Sequence, residues 1–468
     1  MPHHGMLLDG HRVTTDTEAD VIDPAVGAPF ATVPEATAAH VDEAVTAAER
    51  AFREWRAAEA LRRDALEACA KALKANADVI APVLSREQGK PLRHARGEVL
   101  GAARWFSHFA SVSIESERLQ DDASKRIEIL RKPLGVVAAI TPWNFPVTLL
   151  AWKLAPALRA GNTVVAKPSP FTPLSSLMVA DALREILPPG VLNVLTGGNE
   201  LGATLAAHPG VRKVSFTGSV ATGKKVMRAA ADDLKRITLE LGGNDPAIVL
   251  DDADLDALAE PLFWAAFHNS GQVCTAVKRL YVPSSLHDRL VAKLVERARR
   301  TKVGSGLEPD VELGPINNLP QLERVLGLLD DAREAGGRIE VGGERLERPG
   351  YFVPPTVVTE VGRGTRLVDE EQFGPVLPVV RYERLDDALE QANATHFGLG
   401  ASVWTSNLER GEAVARELEA GTSWVNHHLD LGPAQPFGGH KWSGLGLENG
   451  RWGLEELTQL QLISVKKN

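Results

Sequence analysis

Gly135-Val136-Val137-Ala138-Ala139-Ile140-Thr141-Pro142-Trp143-Asn144-Phe145-Pro146 opens the part of the chain whose pattern decides the fold. A short β-branched apolar run stops at a Pro-flanked turn, and a helical pattern follows over 147–160. The unit then repeats: TVVAK and a helix over 173–186, VLNVLTG and a helix over 199–207, KVSFTG and a helix over 221–231, then RITLEL. Short apolar runs joined by helices are βαβ units, so this region is predicted to form a parallel sheet covered on both faces. Ligands bind such sheets beyond the carboxyl ends of the strands, and the informative residues are expected just after each run.

Outward from this core, residues 1–35 read as small strands and turns, and 41–114 as helices. In VDEAVTAAERAFREWR, Val45, Ala48, Phe52 and Trp55 form one helical stripe, and Cys69 in DALEACAKALKAN reads as core packing. RIEILRK at 126–132 reads as a strand. A second α/β series runs from 246 to about 438, with strands near 279–282, 376–380 and 402–404 and helices over 284–303, 318–335 and 385–394. The run LQLISVKKN reads as an edge strand, which a subunit contact is one way to cover.

A chain of 468 residues suggests two or three domains, and 44% hydrophobic with 24% charged residues is ordinary for a globular protein. A net charge of −9 argues against nucleic acid and against an anionic membrane surface as partners. Two cysteines make no disulfide framework, which fits a reducing compartment. MPHHGMLLDGHRV lacks a basic segment followed by an apolar run, and no apolar run of about 18 residues occurs, so a cytoplasmic protein is expected.

After the first run stands Asn144, whose amide is either a turn residue or a donor aimed at a site. Lys167-Pro168-Ser169-Pro170 follows the second run, where a lysine can reach ribose or phosphate oxygens. Phe216-Thr217-Gly218-Ser219 through Gly223-Lys224-Lys225 nearly matches a nucleotide P-loop, but Lys225 replaces the magnesium-holding hydroxyl, which rejects an ATPase. A Gly/Ser turn opening a helix still offers free N–H groups to a pyrophosphate. Glu240 closes an apolar strand in LELGGN, where desolvation raises a carboxyl pKa toward that of a general base. Two further Gly/Pro loops carry an aromatic, around Glu371-Gln372-Phe373 and Pro436-Phe437. His427-His428 has no partner cluster at ligand spacing, so no metal is expected. Finally, His268-Asn269-Ser270-Gly271-Gln272-Val273-Cys274-Thr275 places the second cysteine just after a Gly-Gln turn. Alone it would read as a buried thiol.

TPWNFP, KP after TVVA, FTGS, LELGG, GQVC, EEQFGPV and PFGGHKWSG, in this order over about 133–445, resemble the signatures of the aldehyde dehydrogenase superfamily. The spacing of Glu240 to Cys274 also matches that family. The resemblance implies an NAD(P)-dependent, non-acylating aldehyde dehydrogenase using NAD or NADP, in which Cys274 is the nucleophile, Glu240 the base and Asn144 an oxyanion donor. A CoA-acylating relative typically lacks the glutamate, and a retired homologue loses the nucleophile or base; all three residues are present here.

By the same resemblance Lys167 and Glu371 bond ribose hydroxyls, Trp143, Gly218 and Ser219 face the pyrophosphate, and Phe373 braces the nicotinamide side, with Ser169 and Leu241 also at the cofactor. Pro170 stands where NAD-preferring members often carry a glutamate, so a 2′-phosphate meets no repulsion and Ser169 can donate to it; either NAD or NADP can then serve, and the sequence does not choose between them. The implied substrate tunnel takes Phe145, Leu149 and Trp152 after the first run, His268, Val273 and Thr275 around Cys274, and Leu431 and Phe437 near the end of the chain. With no Arg among them, this lining favours an apolar aromatic or aliphatic aldehyde over a dicarboxylic semialdehyde. The implied fold is α/β: a discontinuous cofactor domain of 1–114 and 134–242, a catalytic domain of 243–445, and a small β extension of 115–133 and 446–468 used for dimers or tetramers.

Overall fold

The computed structural model describes residues 5–467; Met1–His4 and Asn468, at the outer ends of the segments read above as strands, lie outside the described residues. The βαβ pattern builds an eight-stranded sheet in the order Gly444–Leu445, Arg236–Glu240, Val211–Thr217, Val136–Ile140, Thr163–Lys167, Leu192–Val194, Met6–Leu8, His11–Val13. The five central strands run parallel. The sheet is nonetheless mixed, because Met6–Leu8 pairs antiparallel with both its neighbours and Gly444–Leu445 pairs antiparallel with Arg236–Glu240. From Val136–Ile140 the chain moves outward to Thr163–Lys167 and Leu192–Val194, then returns to the other side at Val211–Thr217. The order therefore reverses beside Val136–Ile140, which opens a crevice at the carboxyl ends there.

Val136–Ile140 is buried along its whole length, as a strand covered on both faces must be. Pro146 starts the following helix, Pro146–Ala160, and Gly161 at φ 94° ends it, a left-handed position that glycine adopts without strain. Helices Asn199–Ala207 and Val220–Ala231 lie where the sequence pattern puts them, whereas 173–186 ends early as Pro173–Leu183 and 284–303 contracts to His287–Arg300. Helix Leu255–Phe267 was not anticipated: LDALAEPLFWAAF is apolar on nearly every side and holds Pro261, so it shows no stripe and reads as broken. Asp254 caps it, accepting from the amides of Asp256 at 3.0 Å and Ala257 at 3.3 Å.

The second sheet has seven strands, ordered Arg338–Val341, Thr356–Thr359, Val376–Tyr382, Val277–Pro283, Asp245–Val249, Gly400–Trp404, Thr422–Val425, all parallel but the first. A separate antiparallel sheet joins Thr458–Lys466, Lys125–Pro133 and Glu117–Asp121. Cys69 is fully buried in the helical core, and burial pushes its thiol up to about 12. Among the described residues no helix is long and apolar enough to cross a membrane.

Candidate active site

Two cavities of about 610 and 540 Å³ share Pro142, Trp143, Thr217, Gly218 and Ser219, and so form one cleft across the crevice. Lys167 and Ser169 line its outer half. Asn144, Leu149, Leu241, Cys274, Glu371 and Phe373 line its inner half. Ser219 caps helix Val220–Ala231 through its side chain, so that helix aims its amino terminus into the cleft. Trp143 and Phe373 meet edge to face at 5.3 Å across it.

The loop that delivers Cys274 is backbone-strained. Asn269, Ser270 and Gly271 all stand at positive φ, 51°, 57° and 70°. Asn tolerates this region better than Ser does, and at Gly271 a Cβ would lie 2.1 Å from the Gly374 carbonyl oxygen. The turn is held from several directions. Ser270 Oγ donates to the Gly314 carbonyl at 2.8 Å, Gln272 Nε2 to the Asn269 carbonyl at 2.9 Å, and the Asn317 amide to Gln272 Oε1 at 2.8 Å. Beneath it, the buried Lys278 ammonium donates to the carbonyls of Val273 at 2.8 Å and Cys274 at 2.6 Å. Burial pushes the Cys274 thiol up to about 12; Lys278 opposes that rise, while Asp245, Glu240 and Glu371 add to it. Asp245 is itself buried with neither carboxylate oxygen bonded, and burial raises it to about 8.

Asn144 is 3% exposed and lies across the loop. Its Nδ2 donates to the Gln272 carbonyl at 3.0 Å, leaving its second hydrogen for a reacting oxygen. Its own carbonyl accepts from Lys90 Nζ at 2.9 Å and Asn269 Nδ2 at 3.1 Å. Glu98 pairs with Lys90 and accepts from the amides of Val147 at 3.0 Å and Thr148 at 3.1 Å. One carboxylate thus ties the buried ammonium to the start of helix Pro146–Ala160.

Glu240, 2% exposed, has no hydrogen-bond partner on either oxygen. Burial, then the nearby Glu448, raises its pKa well above the ordinary value, and Lys153 works against this. Lys153 and Glu448 form a buried pair at 2.6 Å, which Ser215 Oγ joins by donating to Glu448 at 2.9 Å. Neither was singled out from the sequence. The available signal was Lys153 itself, a lone charge in the otherwise apolar AWKLAPAL.

The residues fit a dinucleotide. The Lys167 ammonium, which burial lowers to about 8, donates to the Pro168 carbonyl at 3.2 Å and has no carboxylate partner among the described residues. Glu371 Oε1 accepts from the Gly243 amide at 3.0 Å and stands 3.6 Å from Lys278.

The expected tunnel residues divide. Trp152 stacks on Trp105 at 5.4 Å and meets Phe437 edge-on at 5.3 Å, in the same core that Phe145, Leu431 and Cys274 pack against. Phe145 and His268 stack at 6.2 Å. Val273 is buried, and Thr275 is 0% exposed, so the threonine side chain faces protein rather than open space. No group of three or more His, Cys, Asp or Glu suited to a metal occurs among the described residues; His428 instead contacts the Thr275 carbonyl at 2.6 Å.

A crevice at a strand-order reversal, a thiol on a strained loop and a buried carboxylate define an α/β enzyme of nucleotide-linked chemistry. The sequence profile of the aldehyde dehydrogenase family matches residues 12–463, and the chain belongs to that family. Its fold is similar to an aldehyde dehydrogenase of Bacillus cereus in complex with NAD+, at 35% identity and TM-score 0.97, covering 100% of this chain and 97% of that one. It is similar to betaine aldehyde dehydrogenase of Staphylococcus aureus at 33% identity and TM-score 0.96, covering 99% and 98%. An NADP-dependent enzyme of E. coli gives 37% identity and TM-score 0.97, covering 99% and 98%.

Proposed function

We propose that the protein oxidises an apolar aromatic or aliphatic aldehyde to its carboxylic acid with reduction of NAD or NADP. The observation that carries this reading is the convergence of Cys274, Asn144 and Leu149 with Ser219 and Glu371 on one cleft. Glu240 first takes the thiol proton of Cys274, whose sulfur then bonds to the aldehyde carbonyl carbon to give a thiohemiacetal, with the oxyanion held by hydrogen bonds from Asn144 Nδ2 and the Cys274 amide. A nicotinamide held in the cleft would supply the hydride acceptor, and loss of the hydride from the thiohemiacetal carbon would leave a thioester on Cys274. Glu240 then removes a proton from a water that adds to the thioester carbonyl, its raised pKa suiting it to hold that proton near neutrality; the C–S bond breaks, which releases the carboxylic acid and frees the Cys274 sulfur. Lys153 and Glu448 supply charged groups behind it through which the proton can leave. Lys167 and Glu371 hold ribose hydroxyls, and the helix opening at Ser219 faces the pyrophosphate.

With Pro170 beside Ser169, no carboxylate at this position repels a 2′-phosphate, and both cofactors are accepted. The chain divides into a cofactor domain of 1–114 and 134–242, a catalytic domain of 243–445 and a β extension that joins copies into a homodimer or homotetramer. Its two free thiols fit the reducing cytoplasm.

The test is reduced-nicotinamide formation over an aldehyde panel with each cofactor, beside Cys274→Ala. The wild type is expected to turn over and the variant to lose at least about a thousandfold in kcat. Undiminished activity in the variant, or no cofactor reduction with any aldehyde, removes the proposal. A preference for NAD of about a thousandfold or more (about 4 kcal/mol) removes the dual-cofactor part alone.

A further inference from the structure

Resting on the aldehyde-oxidation reading, we infer that a cavity of about 290 Å³ walled by Arg93, His94, Phe145, Thr148, His268 and Asn269 receives a carboxylate at the far end of the substrate. The substrate is then an acid-aldehyde with an apolar middle rather than a neutral aldehyde.

Position is the first support. Phe145 directly follows Asn144, and His268 opens the loop that ends at Cys274. Asn269 donates to the carbonyls of both Asn144, at 3.1 Å, and Gln272, at 3.4 Å. The cavity is therefore walled by the residues next to Asn144 and by the loop that ends at Cys274, and we place the far end of an aldehyde seated at Cys274 past Phe145, toward Arg93.

Charge is the second. The Arg93 guanidinium sits exposed at the rim, and one of its nitrogens donates to the Val311 carbonyl at 2.5 Å. Four further N–H donors remain on its planar fork. The His94 and His268 rings lie 4.9 Å apart, and His94 Nδ1 is buried without a partner. Burial first, then neighbouring cations, lowers these imidazoles to about 3 and about 4, so both stand neutral and each can donate one N–H.

The anions nearby are already committed. Glu98 serves Lys90 and the amides of Val147 and Thr148, and Glu312 serves Arg297 and the Lys302 amide. Lys90 in turn is spent on Glu98 and the Asn144 carbonyl. The walls hold one guanidinium, two imidazoles and the mutually paired Lys90 and Glu98, so with Glu98 neutralised the unspent donors are complementary to an anion. The motif-derived lining carried no Arg because Arg93 and His94 belong to helix Leu92–Ser111, which no signature covers.

Two para-substituted benzaldehydes of like shape test this, one bearing a carboxylate and the other a methyl group. For wild type the kcat/KM ratio of carboxyl over methyl should exceed about ten, chiefly through KM. Arg93→Ala should lower that ratio about tenfold, Arg93→Lys should retain most of it, and His94→Phe should lower it severalfold. A wild-type ratio near one or below, or a ratio within twofold of wild type in both Arg93→Ala and His94→Phe, overturns the assignment. An enzyme that oxidises neither compound, nor any other aldehyde, overturns the underlying reading instead.

Discussion

Lys278 occupies the position from which one side chain controls the nucleophile. Charged groups face the thiol from four elements: Lys278 on strand Val277–Pro283, Asp245 on Asp245–Val249, Glu240 at the end of Arg236–Glu240, and Glu371 in the loop after Arg366–Asp369. Lys278 is the cation among them, and it also holds the carbonyl of Cys274. Removing it as Lys278→Met takes away stabilisation of the thiolate, so the ionisation midpoint moves up. Iodoacetamide alkylation of Cys274 at about pH 8 should slow about tenfold for each unit of that movement. Cys69 does not interfere, being fully buried. An unchanged alkylation profile would reduce Lys278 to packing, and Lys278→Arg should retain most of the wild-type profile. At this scale the sequence was legible where chemistry follows a strand end: Asn144 and Lys167 line the cleft and Glu240 is buried behind it, whereas Cys274, on a turn before a strand, was legible only through its motif. Lys278, Asp245, Lys90 and Glu448 were not legible, since a charge inside an element acquires meaning only from what another element places beside it.

The start of helix Pro146–Ala160 illustrates how an element carries the site. Its first amides, Val147 and Thr148, are satisfied by Glu98 from helix Leu92–Ser111, and the same carboxylate neutralises Lys90 beneath Asn144. Glu98→Ala leaves a buried ammonium unpaired and a helix end uncapped. Loss of one partner of a buried pair costs about 3–5 kcal/mol, and denaturant unfolding should show a loss of that order together with a fall in kcat from a looser Asn144. Full stability in this variant would mean that Lys90 finds another anion or loses its proton. The helix itself was readable from Pro146 and the apolar run. Its cap was not, because Glu98 lies on a different helix.

In the whole molecule, the three-stranded sheet stands apart from both larger sheets and presents apolar side chains outward. Leu460 is 61% and Leu462 59% exposed on Thr458–Lys466, with Ile463, Val465 and Leu119 also uncovered. The strand lies at the edge of its sheet, so pairing with a second copy would satisfy both its backbone and its leucines. If copies pair through this edge, replacing Leu460 and Leu462 with Lys should lower the mass seen in sedimentation, and an unchanged mass would rule out a contact here. The repeated βαβ pattern made the five parallel strands of the first sheet legible and three strands of the second, but the small sheet joins strands too distant for any local pattern to pair. That distance also sets a timetable for biosynthesis. Arg131 and Thr458, hydrogen-bonded across the pair, are 327 residues apart. At about 5–20 residues per second the ribosome delivers the later strand roughly 15–65 s after the earlier one. During that interval the edge of Lys125–Pro133 that Thr458–Lys466 will cover has no partner and stays open to wrong pairing.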